Sequence, residues 1–140
     1  MQGNLAELFE ILSQKMEEHE SKVIEMSSFR NLSMKQIHYL DVISHMENPT
    51  LGELAIRLEL SKPSITAIID RFESDGFIVK NQNDNDRRIQ HIELSEKGKQ
   101  ISNLHDEIHR GFAEYFKQNL DNAEIYQLTA IISKVIEKLP

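Results

Sequence analysis

The sequence predicts a mainly α-helical fold with one small β wing, and three observations predict it. Apolar residues recur at spacings of three and four over most of the 140 residues, which is the period of a helix face. Two short helical runs, each opened by a hydroxyl residue able to cap it, meet across a tight turn at Glu59-Leu60. After the second run Gly76 stands as a helix stop, ahead of two short segments separated by a polar turn, the pattern of a hairpin.

The elements follow in order. From residue 5, Leu5, Leu8, Phe9, Leu12 and Met16 fall on one face of a helix whose opposite face is acidic. Ser33 caps a helix over Met34 to Met46, with Ile37 and Leu40 inward, which Glu47-Asn48-Pro49 ends. Thr50 and Glu53 have capping-box spacing and open a short helix carrying Leu54, Ala55 and Leu58. Ser61 caps the next helix, with Pro63 in its first turn and Ile65, Ile68, Ile69 and Phe72 along one stripe. Phe77 to Lys80 and Arg88 to Leu94 read as the two strands of the hairpin. Ser95 caps one long helix bearing Ile101, Leu104, Ile108, Phe112 and Tyr115, and a last helix after Leu120 carries Ile125, Leu128, Ile132, Val135 and Leu139.

Composition narrows the chemistry. With 39% apolar and 28% charged residues, Gly 5 and Pro 3, the chain has the make-up of an ordinary folded domain. It contains no cysteine, which removes disulfides, thiol nucleophiles, thiol redox sensing and thiolate metal sites. The first twenty residues lack the basic flank and apolar run of a signal peptide, and no run approaches the roughly 20 apolar residues that span a bilayer. A cytoplasmic location without membrane partners is expected.

Two short helices across a tight turn, a glycine stop and a hairpin make a winged helix-turn-helix, in which the second helix enters the DNA major groove. Residues 61–74 suit that role: Ser61, Lys62, Pro63, Ser64, Thr66, Ala67 and Arg71 fall on the outer face while the isoleucines turn inward. Small hydroxyls permit close approach to base edges, and Lys62 adds charge at a helix N-terminus that already favours phosphate. Thr50, at the start of the preceding helix, joins this set of DNA contacts. The hairpin tip ends in Asp86-Arg87-Arg88, and arginine suits a narrow, electronegative minor groove.

The segment LGELAIRLELSKPSITAIIDRFESDGFIVKNQNDNDRRIQHIELSEKG resembles the DNA-binding core of MarR-family regulators. The family's wing pattern, Asp-x-Arg followed by Leu-Ser/Thr-x-x-Gly, stands here as Asp86, Arg88, Leu94, Ser95 and Gly98. The resemblance implies a single MarR-like domain over 1–140, with a winged core at 33–99 and helical dimerisation regions at 1–32 and 100–140. It implies a transcriptional repressor on a palindromic operator, the 77–94 wing in the minor groove, Arg88 as the groove-reading arginine and Asp86 as the residue that shapes the wing. Arg87 is left for a phosphate.

The net charge of -7 opposes unspecific attraction to nucleic acid, but the charge is unevenly spread. Residues 33–99 carry nine basic and eleven acidic residues, residues 1–32 three against six, and residues 100–140 four against six. The DNA-reading core is therefore near balance, provided that Asp70, Glu73 and Asp75 turn away from the binding face.

One recognition helix reads only a few base pairs, so specificity calls for two copies. The terminal helices have apolar stripes to join them. Leu5, Leu8, Phe9, Leu12, Phe112, Phe116, Leu128, Ile132, Val135 and Leu139 are the candidate homodimer interface, with Tyr115, Leu120 and Ile125 beside them.

His105 and His109, four residues apart, share one helix face, a geometry that can offer two nitrogens to zinc. With Glu20 and His38 they resemble the zinc site of a zinc-uptake-repressor branch of the family. Met26 and Ile37 stand where that branch places ligands of a second site. Residues 28–43, SFRNLSMKQIHYLDVI, instead resemble the branch that represses fatty-acid synthesis in response to acyl-acyl carrier protein. Two effectors therefore stay open in the cleft that the family places between its dimerisation and DNA-binding parts: one Zn per subunit on Glu20, His38, His105 and His109, or an acyl chain in a metal-free cleft. Whether the effector promotes or releases DNA binding also stays open. No catalytic constellation is present apart from the histidine set, so no enzyme is expected; a small zinc hydrolase and a protein-binding adaptor are the remote alternatives.

Overall fold

The computed structural model describes residues 3–140. The chain divides into two compact units, Met1–Val23 with Asp106–Pro140, and Ile24–His105. Residues 24–32 and 100–105 thus go with the winged core, because Ile24, Phe29, Leu32, Ile101 and Leu104 are buried there. Phe29 stacks on Phe77, with ring centroids 5.3 Å apart.

In the unit Ile24–His105, α1 (Leu5–Glu25) ends at a turn in which the Ser27 hydroxyl donates to the Ile24 carbonyl. α2 (Met34–Ser44) opens on a reciprocal capping box between Ser33 and Gln36. It stops two residues short of the expected Met46, where His45 leaves helical geometry and Asn48 takes a left-handed φ of 44° before Pro49. α3 (Leu51–Arg57) and α4 (Lys62–Ser74) are capped by Thr50 and Ser61. The capping box expected of Thr50 forms only in part: its hydroxyl accepts the Glu53 N–H, but the Glu53 carboxylate takes the hydroxyl proton at 3.3 Å rather than the Thr50 N–H. Glu59, at φ 54°, makes the turn between the two helices.

A Schellman motif closes α4: the Phe77 N–H reaches the Phe72 carbonyl at 2.8 Å and the Gly76 N–H reaches that of Glu73 at 3.0 Å. Gly76 holds φ 82° there. β1 (Ile78–Gln82) then pairs antiparallel with β2 (Gln90–Leu94), Ile78 opposite Leu94 and Lys80 opposite Ile92. Ile92 also donates its N–H to the Pro49 carbonyl at 2.8 Å, and Thr50 bridges His91, so the wing root is stitched to the start of α3. The core of this unit is Leu40, Leu54, Ile65, Ile69, Phe72, Ile92 and Ile101, each no more than 1% exposed. Burying such a side chain contributes about 1.5–3 kcal/mol.

The single long helix expected from Ser95 is two helices. Ser95 caps α5 (Glu96–Lys99), and α6 (Ile101–Asn119) follows after Gln100. The Gln100 N–H falls back on the Lys97 carbonyl, a tightened last turn. α5 is tied down locally: the Ser95 hydroxyl donates to the Gly76 carbonyl, Lys97 Nζ donates to that of Asp75, and the Lys97 ammonium lies 4.3 Å from the Phe77 ring centre.

The other unit is made by α1, α6 and α7 (Asn122–Ile136), the last opened by an Asp121–Glu124 capping box. His19 packs edge-on to Tyr115 at 5.5 Å and donates from Nε2 to the Ile108 carbonyl at 3.0 Å. Gly111 admits the imidazole: a β-carbon there would stand 2.9 Å from it. Leu139 lies beyond the end of α7. No described helix is long and apolar enough to cross a membrane.

Candidate nucleic-acid interface

α4 sorts its side chains cleanly. Ile65 and Ile69 are fully buried, whereas Ser61, Lys62, Pro63, Ser64, Thr66, Ala67 and Arg71 are all exposed. The outer face is also internally organised. Ser61 Oγ accepts the Ser64 N–H and donates to Ser64 Oγ at 2.8 Å, and the Thr66 hydroxyl donates to the Lys62 carbonyl. Each hydroxyl oxygen therefore presents remaining lone pairs outward from a fixed position.

The three carboxylates that threatened this face are all engaged. Lys80, reaching from β1, meets Asp70 at 2.5 Å and Glu73 at 3.6 Å, and Arg71 lies 3.6 Å from Asp75. The hydrogen bond to Asp70 raises the Lys80 ammonium above its ordinary 10.5, against a smaller opposing effect of burial. Lys80 thus offsets negative charge on the exposed face of α4, a contribution that sequence reading missed. Its only signal was a lysine at an inward position of a strand.

At the wing tip Arg87 and Arg88 are exposed, Arg88 with 90% of its side chain accessible. Asp86 grips Arg88 with both oxygens, Oδ1 accepting from Nε and Oδ2 from Nη2, each at 3.1 Å. These bonds, the side-chain ones first, hold the Asp86 carboxyl below its ordinary value. Thr50 is half-buried between Glu53 and the wing root, so its hydroxyl is committed to the α3 cap.

The four candidate zinc ligands are distributed between the units: Glu20 and His109 belong to the α1/α6/α7 unit, His38 and His105 to the winged unit. His38 and His109 are exposed, Glu20 half-buried, and His105 Nε2 lies 3.3 Å from Asp41 Oδ1. Among the described residues no group of three or more His, Asp or Glu stands together so as to hold a metal ion. The α1/α6/α7 unit holds instead an open cavity of about 680 Å³, walled by Leu12, His19, Phe112, Tyr115, Phe116 and Leu128, with Lys15, Glu18 and Lys22 among its polar lining.

The same unit leaves the expected interface residues uncovered. Ile108 is its one buried apolar side chain among the described residues, α7 buries none, and Leu5, Phe9 and Leu139 are 70%, 58% and 62% exposed. Leu8, Ile132 and Val135 are exposed, and Leu12, Phe112, Phe116 and Leu128 are half-buried.

Residues 32–90 match the model of the MarR family. The chain is 28% identical over 107 residues to the HTH-type transcriptional regulator PchR of Bacillus subtilis, covering 76% of this chain and 63% of that protein. It is 30% identical to the transcriptional repressor MprA of Escherichia coli, covering 71% and 58%. It thus spans about three fifths of the length of these curated relatives. Among solved structures, a single-residue mutant of Staphylococcus aureus MepR bound to an oligodeoxyribonucleotide superposes with a TM-score of 0.80 at 18% identity, over 99% of this chain and 100% of that one. Streptococcus pneumoniae FabT in complex with DNA superposes with a TM-score of 0.63 at 23% identity, over 94% and 92%. At such identities these two establish the shared fold.

Proposed function

We propose that the chain is a MarR-type, DNA-binding transcriptional regulator of repressor type, acting as a homodimer on a near-palindromic operator; the match of residues 32–90 to the MarR family model supports this reading. The observation that carries this reading is the division of α4 into a face buried through Ile65, Ile69 and Phe72, with Ile68 half-buried, and an exposed Ser/Lys/Thr/Arg face, beside a wing whose tip arginine is fixed by Asp86. Lys62 and the α4 N-terminus supply phosphate contacts, Ser64, Thr66 and Arg71 face base edges in the major groove, Arg88 enters the minor groove and Arg87 takes a phosphate. Phosphate contacts give affinity that falls steeply with salt; base and groove contacts give sequence preference.

The second copy is called for by physical need. A three-helix unit with one buried apolar residue among those described has little core of its own, and its exposed leucines and isoleucines form the kind of surface that marks an interface. A near-palindromic operator offers two half-sites one helical turn, about 34 Å, apart, one for the α4 of each copy. Leu12, Phe112, Phe116 and Leu128, which wall the open cavity of this unit, belong to the same apolar surface, so a second copy docked there covers it. A ligand acts by binding more tightly to one dimer geometry than to another.

The test is selection of duplexes from a randomised pool, followed by affinity measured across salt. Sequence-selective binding with a steep salt slope, weakened in Arg88→Ala, is the expected result. Absence of binding at low salt from every duplex would overturn it.

A further inference from the structure

The wing tip is wired to the α2–α3 connection through a chain of hydrogen bonds whose proton positions can all be assigned. Asn83 Oδ1 faces two backbone N–H groups, those of Asn85 at 2.8 Å and Asp86 at 3.2 Å. Two donors require an acceptor, so that atom is the amide oxygen and the Asn83 NH₂ points the other way, toward His91 Nε2 at 2.9 Å. His91 Nε2 must then carry the lone pair. The proton sits on Nδ1, which lies 2.8 Å from the Asn48 carbonyl, a group that can only accept. The assignments close without conflict: His91 is neutral, donating at one nitrogen and accepting at the other.

What lies downstream is the groove-reading arginine. Asn83 fixes the backbone of Asp86, and Asp86 in turn binds the Arg88 N–H at 3.0 Å and its guanidinium in two places. Upstream, Asn48 stands in the left-handed turn that leads to the Thr50 cap of α3. We propose that His91 and Asn83 are positioning residues which set the aim of Arg88 by relaying the position of the α2–α3 connection to the wing tip, without themselves touching DNA. This deepens the DNA-binding reading and rests on it.

The inference makes the effect of His91 conditional on Arg88. A residue that merely stabilised the fold would weaken DNA binding whatever stood at position 88. A relay loses its effect once its output is gone, so the substitutions must be strongly non-additive. Losing one such hydrogen bond corresponds to about a tenfold change in affinity.

The experiment uses the full chain and duplexes selected from a randomised pool on the unaltered protein. His91→Ala and Asn83→Ala are each measured with Arg88 present and in the Arg88→Ala background, with thermal melting alongside. Expected is a loss of about tenfold for each with Arg88 present, and a change within about twofold without it. Equal losses in both backgrounds, or no loss in a folded variant, overturn the relay. A second arm needs no DNA: ¹⁵N spectra of the imidazoles show whether His91 carries its proton on Nδ1, and the Arg88 Nε resonance of the full chain is compared with that of the conservative variant Asn83→Asp, which keeps the acceptor for Asn85 and Asp86 but offers no donor to His91. A proton on Nε2 of the unaltered chain, or an Arg88 Nε signal unmoved by the substitution, also overturns it. If the unaltered chain binds no duplex, the DNA reading fails instead, and the spectra alone decide the relay.

Discussion

Asp86 and Arg88 are joined by three hydrogen bonds across a two-residue step: the carboxylate accepts the Arg88 backbone N–H at 3.0 Å and clamps the guanidinium at Nε and Nη2, each at 3.1 Å. A planar guanidinium held by two N–H groups along one edge has one orientation, so a long flexible side chain is presented ready-aimed while 90% of it stays accessible. Preorganisation of this kind lowers the ordering cost of binding.

Asp86→Ala is therefore expected to weaken operator binding severalfold while leaving thermal stability almost unchanged, because the pair lies at an exposed tip. Fluorescence anisotropy on a selected duplex and a melting curve test both halves. An equal loss in the Arg88→Ala background would separate Asp86 from the arginine it is held to aim.

The same pair sets a pH dependence. The folded-state Asp86 carboxyl is held below its ordinary 3.8 by its bonds to Arg88. A lowered value means that the stabilisation is fully present above about pH 3.8 and is lost as pH falls through the lowered value. The Arg88 Nε signal is expected to stay constant on acidification to pH 3.8 and to move only below it; movement centred at or above 3.8 would contradict the assignment.

Lys80 offers a prediction in which stability and affinity part. It neutralises Asp70 and Glu73 on α4, yet the carboxylates are about half exposed, so Lys80→Met should cost no more than about 1 kcal/mol of stability. DNA affinity should fall more, since two uncompensated negative charges then stand on the recognition helix. Adding Asp70→Asn should recover part of the lost affinity. Unchanged affinity in the single variant would show that these charges do not face the duplex.

Two glycines of the winged unit should respond differently to alanine. Gly76 has open space around its missing β-carbon and a φ of 82°, so Gly76→Ala carries only the left-handed backbone cost, about 1–2 kcal/mol. At Gly98 a β-carbon would run into the Phe77 carbonyl oxygen, far inside contact distance. The backbone must move, and Gly98→Ala should cost more than the first substitution, roughly 2–3 kcal/mol. Denaturant titration ranks the two.

That contrast also shows where sequence reasoning stopped. Caps and stops were legible because their chemistry is local: Ser33, Thr50, Ser61, Ser95 and Gly76 each act within a few residues. Gly98 was visible as a motif residue without its reason, which is the Phe77 carbonyl 21 positions earlier. The split between α5 and α6 was hidden because the apolar stripe of Ile101, Leu104 and Ile108 carries no mark of where its helix begins. His91 was hidden more deeply, since its partners Asn48 and Asn83 are 43 and 8 residues away. The spacing of His105 and His109 placed both on α6 without revealing that the division between compact units falls between them.

The α1/α6/α7 unit yields the remaining prediction. Leu8 and Ile132 are 41% and 48% exposed, so replacing either with Glu disturbs little of the isolated chain's packing. In a homodimer joined on this surface the same change buries a carboxylate with no partner, at a cost of several kcal/mol for each copy. Leu8→Glu and Ile132→Glu are expected to give folded monomers in analytical ultracentrifugation. They should bind a palindromic duplex no better than a single half-site, because two recognition helices no longer arrive together. A variant that remains dimeric with unchanged preference for the palindrome would place the interface elsewhere on the chain.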